Sequence, residues 1–246
     1  MQNEGPFVSR FGVEHQGISN ARTVYWNLPP AQLYEHAVRN GEALIGQGGP
    51  LIASTGKHTG RSPNDKFVVK SAGSEKDLWW GEVNRPFDPE KFERLRERML
   101  AHIAGRDLYV FDGYAGNDPR YRLPVRIVNE FAWHNLFARN MFVRDEEGKT
   151  LAGFEPGFTV LDVPSFQADP ARDGTASPTF ILLDLDNRRV LIGGTAYAGE
   201  IKKSIFSVMN YLLPRQGVLS MHCSANYGKD KDDVALFFGL SGTGKT

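Results

Sequence analysis

The stretch Gly239-Leu-Ser-Gly-Thr-Gly-Lys-Thr246 has the spacing G-x-x-x-x-G-K-[ST] and follows at once on the apolar run Val234-Ala-Leu-Phe-Phe238. A strand that empties into such a loop can cradle phosphate. Glycines let backbone N–H groups turn inward around the oxygens, the lysine reaches the β- and γ-phosphates, and the threonine hydroxyl can hold Mg²⁺. Gly239, Leu240, Ser241, Gly242, Thr243, Gly244, Lys245 and Thr246 are therefore the nucleotide-site candidates. A glycine-rich turn with an accidental lysine is the bland alternative, and the preceding strand argues against it. Such a loop also works through the N-terminus of a following helix and an acidic metal ligand on a later strand. Neither lies in these 246 residues. The expectation is that this polypeptide alone neither binds ATP tightly nor turns over.

Two other stretches carry chemical side chains. Tyr197-Ala-Gly-Glu-Ile-Lys-Lys203 stands between a Gly193-Gly194 turn and an apolar helical pattern, which puts Lys202 and Lys203 near the first turn of a helix. Positive partial charge at a helix N-terminus disfavours an ammonium there. Two solvated surface lysines are the alternative reading. In Val218-Leu-Ser-Met-His-Cys223, alternation along a strand sets Ser220 and His222 on the face opposite Leu219, Met221 and Cys223. A lone histidine in that setting is more often hydrogen-bonded or exposed than a metal ligand.

The elements that must position these residues alternate between strand and helix patterns, as in an α/β protein. Asp88-Pro89 followed by Phe92, Leu95, Met99 and Ile103, then Gly105, has an N-cap, a first-turn proline, helical spacing and a closing glycine. Further helices are predicted at 30–40, 130–142 and 199–213, and strands at 51–55, 65–70, 108–112, 124–129, 158–163, 179–185, 189–193, 217–223 and 234–238. The last does not alternate, which predicts a central strand covered on both faces. Trp79-Trp80 reads as a pair pinning a loop to the core. The turn at 214–217 marks a domain change, giving a mixed α/β domain over 1–217 and the first strands and phosphate loop of a nucleotide-binding domain over 218–246.

Composition bounds the function. Lysine plus arginine number 29 and aspartate plus glutamate also 29, so no net field draws the chain to nucleic acid or anionic lipid. No run reaches membrane-spanning length, the first residues are unlike a signal peptide, and the one cysteine suits a reducing compartment. A cytoplasmic protein acting on small molecules, with no nucleic-acid or membrane partner, is expected; oligomeric state is left open.

Taken in order, Tyr197-Ala-Gly-Glu-Ile-Lys-Lys203, Met221-His-Cys-Ser-Ala-Asn226 and the phosphate loop resemble the ATP-dependent phosphoenolpyruvate carboxykinase family. Thr59-Gly-Arg-Ser-Pro63, Trp79-Trp-Gly81, Tyr121-Arg-Leu-Pro-Val-Arg126 and Trp133-His-Asn-Leu-Phe-Ala-Arg139 also look like blocks of that family, from about residue 20 onward. The resemblance implies conversion of oxaloacetate and ATP to phosphoenolpyruvate, ADP and CO₂ in gluconeogenesis, with Mn²⁺ and a nucleotide-bound Mg²⁺. It implies that Arg61 clamps a substrate carboxylate, that Tyr197 supports that carboxylate or the departing CO₂, and that Lys202 steadies the enolate and the transferred phosphate. Lys203 and His222 become Mn²⁺ ligands, Lys203 also facing substrate, and Thr246 a ligand of the nucleotide's metal. Arg61, Tyr197, Lys202, Lys203, Ser241 and Lys245 are the catalytic candidates. A lysine ligates metal only when neutral, which from a pKa of about 10.4 costs roughly 4 to 5 kcal/mol at pH 7. Burial and the metal's charge can offset that. Missing from these residues are the family's third Mn²⁺ ligand, a second substrate arginine and the adenine pocket. GTP-dependent relatives have a reactive cysteine near a similar loop; Ser241 and its flanks favour ATP. Another P-loop kinase, or a non-catalytic fragment, are the competing readings.

Overall fold

The computed structural model describes residues 1–145, 147–230, 232–240 and 242–244. They form two compact units, Met1–Ile205 and Phe206–Thr246. In chain order the elements are β1 (Gln2–Glu4), β2 (Thr23–Trp26), α1 (Pro30–Arg39), β3 (Ala43–Ile45), β4 (Leu51–Ala53), β5 (Lys66–Val69), β6 (Pro86–Phe87) and α2 (Pro89–His102). Then come β7 (Leu108–Ala115), β8 (Leu123–Asn129), α3 (Ala132–Met141), β9 (Phe158–Val163), α4 (Pro170–Asp173), β10 (Phe180–Asp184), β11 (Arg189–Gly193), α5 (Gly199–Leu212), β12 (Cys223–Tyr227) and β13 (Val234–Phe238).

The first unit is built on a nine-stranded sheet of order β1-β2-β7-β8-β9-β11-β10-β5-β6, parallel except at the β7–β8 and β10–β11 pairs. β9 and β10 are buried along their whole length, which is why their sequences are nearly continuous in apolar residues instead of alternating. At the β7 level the two faces separate by single residues. Leu108 and Val110 join the core that holds Phe92, Leu95 and Met99 of α2, whereas Tyr109 joins Leu33 and Ala37 of α1 with Ala132 and Leu136 of α3. Helices therefore cover both faces. The α2 start is as expected, with Asp88 accepting from the Lys91 N–H at 3.0 Å and Pro89 in the first turn.

The mixed α/β class expected of the sequence is the one observed, and the four expected helices are α1, α2, α3 and α5. Short strands β1, β2, β3 and β6 were not foreseen. Trp80 is tied in through its Nε1–H to the Glu75 carbonyl at 2.9 Å, but Trp79 is 70% exposed and pins nothing.

The predicted strand at 217–223 does not form. Gly217 takes a left-handed φ of 73° and closes a turn on Pro214, and Val218 N–H returns to the Leu213 carbonyl at 3.0 Å. The ladder starts only at Cys223, because Cys223 stands opposite Phe238, where β13 ends. Nor is β13 central: it pairs with β12 alone among the described residues, and all five of its residues are exposed.

Candidate active site

Arg61 sits, exposed, in the irregular segment between β4 and a short helical turn at Pro63–Asp65. Its neighbour Ser62 is buried and donates its backbone N–H to Glu200 Oε1 at 2.6 Å, across 138 residues of sequence. The Ser62 hydroxyl lies 3.2 Å from His58 Nδ1, and His58 Nε2 lies 2.9 Å from Thr179 Oγ1. Because the Thr179 hydroxyl donates to the Gly194 carbonyl at 2.9 Å, it accepts from His58 Nε2–H, and His58 Nδ1 is left to accept from Ser62. The tautomer is assigned from these partners.

Tyr197 occupies the link between β11 and α5. Gly194, with φ 70°, turns the chain out of the sheet, and Tyr197 donates its N–H to Thr195 Oγ1 at 3.1 Å. Its ring lies over Gly199, where an added Cβ would come within 2.5 Å of the ring edge and 3.1 Å of the hydroxyl oxygen. The carbonyl of Ala196, the residue before Tyr197, is 3.0 Å from His134 Nε2, whose other nitrogen lies 2.6 Å from Asp162 Oδ2. Asp162 also accepts from Asn129 Nδ2 at 2.9 Å, so this part of the link is held by a fully buried polar group. α5 begins where expected, with Lys202 exposed and Lys203 half-buried.

Burial pushes the Glu200 carboxyl above its ordinary range, against the Ser62 N–H and the cations of Arg61 and Lys66, which pull it down. Lys66, half-buried at the start of β5, is lowered by burial and by Arg61, and Glu200 opposes that shift. Arg61, Lys66 and Glu200 thus form one electrostatic cluster beside Tyr197. A cavity of about 720 Å³ lined by Tyr25, Asn27, His36, Arg139 and Arg144 includes none of these residues.

In the second unit His222 is exposed, its ring 5.4 Å from that of Phe206 and tilted edge-on. It is not on a strand face as predicted but immediately precedes β12. Since Cys223 pairs with Phe238, His222 and Gly239 lie at the same end of the hairpin. Gly242 and Gly244 both have φ of 81°, a conformation that selects glycine, and Thr243 Oγ1 donates to the Leu240 carbonyl at 2.7 Å. A Cβ on Gly239 would meet Thr243 Oγ1 at 2.8 Å. Ser241, Lys245 and Thr246 lie outside the described residues.

Residues 22–246 match the family model described as phosphoenolpyruvate carboxykinase. The chain belongs to the ATP-dependent phosphoenolpyruvate carboxykinase family. It is 55% identical over 236 residues to the ATP-dependent phosphoenolpyruvate carboxykinase of Geobacter metallireducens, covering 96% of this chain and 44% of that protein. The enzyme of the same name from Brevibacillus brevis is 59% identical over 230 residues, covering 93% and 43%. That from Methylobacterium nodulans is 51% identical over 246 residues, covering 100% and 45%. The chain thus spans less than half the length of the curated relatives it matches.

Among the described residues no group of three or more His, Cys, Asp or Glu side chains could hold a metal. Lys203 and His222 together offer an amine and an imidazole, two nitrogen donors with no carboxylate, whereas Mn²⁺ prefers oxygen ligands. Each is a nitrogen donor, and a Mn²⁺ site that used either would need oxygen donors besides. Glu200, His58 and Thr179 had no role in the reading of the sequence. Glu200 stands inside the Tyr197–Lys203 motif, and an acidic residue in a first helical turn beside two lysines was the available signal; nothing in the sequence linked His58 to Thr179.

Proposed function

We propose that the enzyme containing this chain converts oxaloacetate and ATP to phosphoenolpyruvate, ADP and CO₂, in gluconeogenesis and in the cytoplasm. The observation that supports this best is the junction of two family motifs in space: the loop bearing Arg61 is hydrogen-bonded to the segment bearing Tyr197, Lys202 and Lys203 through Ser62 and Glu200. Residues 1–217 are the substrate-binding part in this reading and 218–246 the opening of the nucleotide-binding part.

The residues have distinct tasks. Arg61 presents a planar, permanently charged fork that binds a carboxylate of oxaloacetate at two points. Tyr197 donates its hydroxyl to that carboxylate or to the CO₂ leaving it. Loss of CO₂ leaves an enolate, and in this reading Lys202 is the cation that stabilises the enolate oxygen and then the transferred phosphoryl group. The enolate oxygen attacks the γ-phosphate in line with the departing ADP oxygen, so the two substrates must be held in register. Backbone N–H groups of Gly239 to Gly244, with Ser241, Lys245 and the Thr246 hydroxyl, hold the triphosphate and its Mg²⁺. Lys203 and His222 are the ligands this chain contributes to Mn²⁺, which when bound supplies positive charge at the enolate oxygen. ATP and oxaloacetate are the only partners the reading requires, and the 246-residue chain by itself is inert.

The test is CO₂ release from oxaloacetate with ATP and Mn²⁺, by the natural-length protein and by the 246-residue form side by side. ATP-dependent release coupled to phosphoenolpyruvate formation in the longer protein alone is expected. Absence of release from the longer protein overturns the reading.

A further inference from the structure

The loop between β4 and the turn at Pro63–Asp65 contains Gly56 and Gly60 and has no regular structure. Left to itself, such a loop leaves Arg61 without a fixed position. Two contacts tie it to the segment that carries Tyr197. One is the Ser62 N–H to Glu200 at 2.6 Å. The other runs from Ser62 Oγ through the His58 imidazole and the Thr179 hydroxyl to the Gly194 carbonyl, in steps of 3.2, 2.9 and 2.9 Å. Arg61 lies between the two anchor residues, 58 and 62, while Tyr197 lies between the two acceptors, Gly194 and Glu200.

We propose that Glu200 and His58 are positioning residues, which set the distance between the two substrate-binding side chains by fastening the Arg61 loop to the Tyr197 segment at both ends. This rests on the proposed roles of Arg61 and Tyr197. Glu200 is 6% exposed, and its carboxylate accepts from the loop backbone. A carboxylate suits this position doubly, since it accepts the N–H and balances the charge of Arg61 and Lys66 close by. His58 accepts on one ring nitrogen and donates on the other, which a phenyl ring of similar size cannot do.

Glu200→Ala, Glu200→Gln and His58→Phe in the natural-length protein test the idea with two readouts. Timed trypsin digestion followed by peptide mapping reports cutting after the exposed Lys57 and Arg61, and cutting after the buried Arg126 reports global unfolding. Glu200→Ala and His58→Phe should each speed cutting after Lys57 and Arg61 by about 5- to 30-fold with Arg126 still protected, the effect of losing one buried hydrogen bond. KM for oxaloacetate should rise by a similar factor while KM for ATP stays within about twofold. Glu200→Gln keeps an acceptor for the Ser62 N–H and should restore most of the protection. If one of the alanine and phenylalanine variants unfolds, the other and Glu200→Gln still decide. Unchanged cutting in a folded variant overturns the positioning role and leaves the function of the site untouched. Faster cutting with KM for oxaloacetate unchanged upholds the tie and overturns instead the substrate role of Arg61.

Discussion

Gly199 sets how closely Tyr197 approaches α5. A methyl group there would stand 2.5 Å from the tyrosine ring edge, well inside contact distance, and the ring is the part free to move. Gly199→Ala should favour the helix, since alanine is the better helix former by about 1 kcal/mol, and yet impair the site by displacing the phenol. Expected are an unchanged or higher melting temperature and a KM for oxaloacetate raised about tenfold, with KM for ATP unaffected; wild-type kinetics would remove Tyr197 from the substrate site. Glu200 gives the opposite-signed companion. Burial raises its carboxyl above the ordinary value of 4.5, so the folded state holds a proton that the unfolded state has released. Stability therefore falls as pH rises through that window and stays reduced at neutral pH. Glu200→Gln should be at least as stable as wild type at pH 7, by denaturant titration, and should lose that advantage as pH falls toward about 4.5. Both substitutions separate what the site needs from what the fold prefers.

Strand register explains a buried charge pair that sequence inspection passed over. Asp112 of β7 and Arg126 of β8 are direct partners in the antiparallel ladder, both fully buried, joined by two hydrogen bonds of 2.8 Å, with the guanidinium 4.9 Å from the Trp26 ring. Burial still raises the Asp112 carboxyl despite its partner. Removing Arg126 alone leaves an unpaired buried carboxylate, so Arg126→Met should lose about 3 to 5 kcal/mol in equilibrium unfolding, and adding Asp112→Leu should recover most of it. A double variant no more stable than Arg126→Met would contradict this. Elements with a strong local signature were readable beforehand: the Asp88 cap with Pro89 announced α2, and apolar runs announced β9, β10 and β11. What was not readable depends on distant partners. β12 starts at Cys223 because β13 ends opposite it, and no residue within 217–223 says so. Arg61, Tyr197 and the lysines could be named from motif alone, but the Ser62–Glu200 and His58–Thr179 contacts join residues more than 100 positions apart, and spacing carries no trace of them.

At the scale of the whole first unit, the histidines set how it responds to acid. His36 is buried between α1 and the sheet, its Nδ1 3.1 Å from the Tyr109 hydroxyl and its ring edge-on to Tyr25 at 4.7 Å. Burial and then Arg39 lower its pKa from 6.5, while Glu35, Asp107 and Glu4 oppose the shift. His102, at the end of α2, is lowered by burial and by Arg106 against Glu130. With pKa depressed in the fold, each binds its proton more readily when unfolded. Above pH 6.5 both states are neutral and nothing is contributed; below it the unfolded chain gains protons first, and stability declines until the folded pKa is reached. Carboxylates lowered in the fold, such as Asp107 beside Arg22, act near and below their ordinary 3.8, whereas Glu200 and Glu42, raised by burial, act above 4.5 and in the opposite sense, gaining stability as pH falls. The histidine contribution to unfolding free energy should therefore decline as pH falls below about 6.5. His36→Gln removes one of the two histidines with lowered pKa and should make stability less sensitive to acid in this range, whatever it does to stability at neutral pH. Urea titrations of both proteins across this range decide it, and parallel curves would show that His36 takes no part.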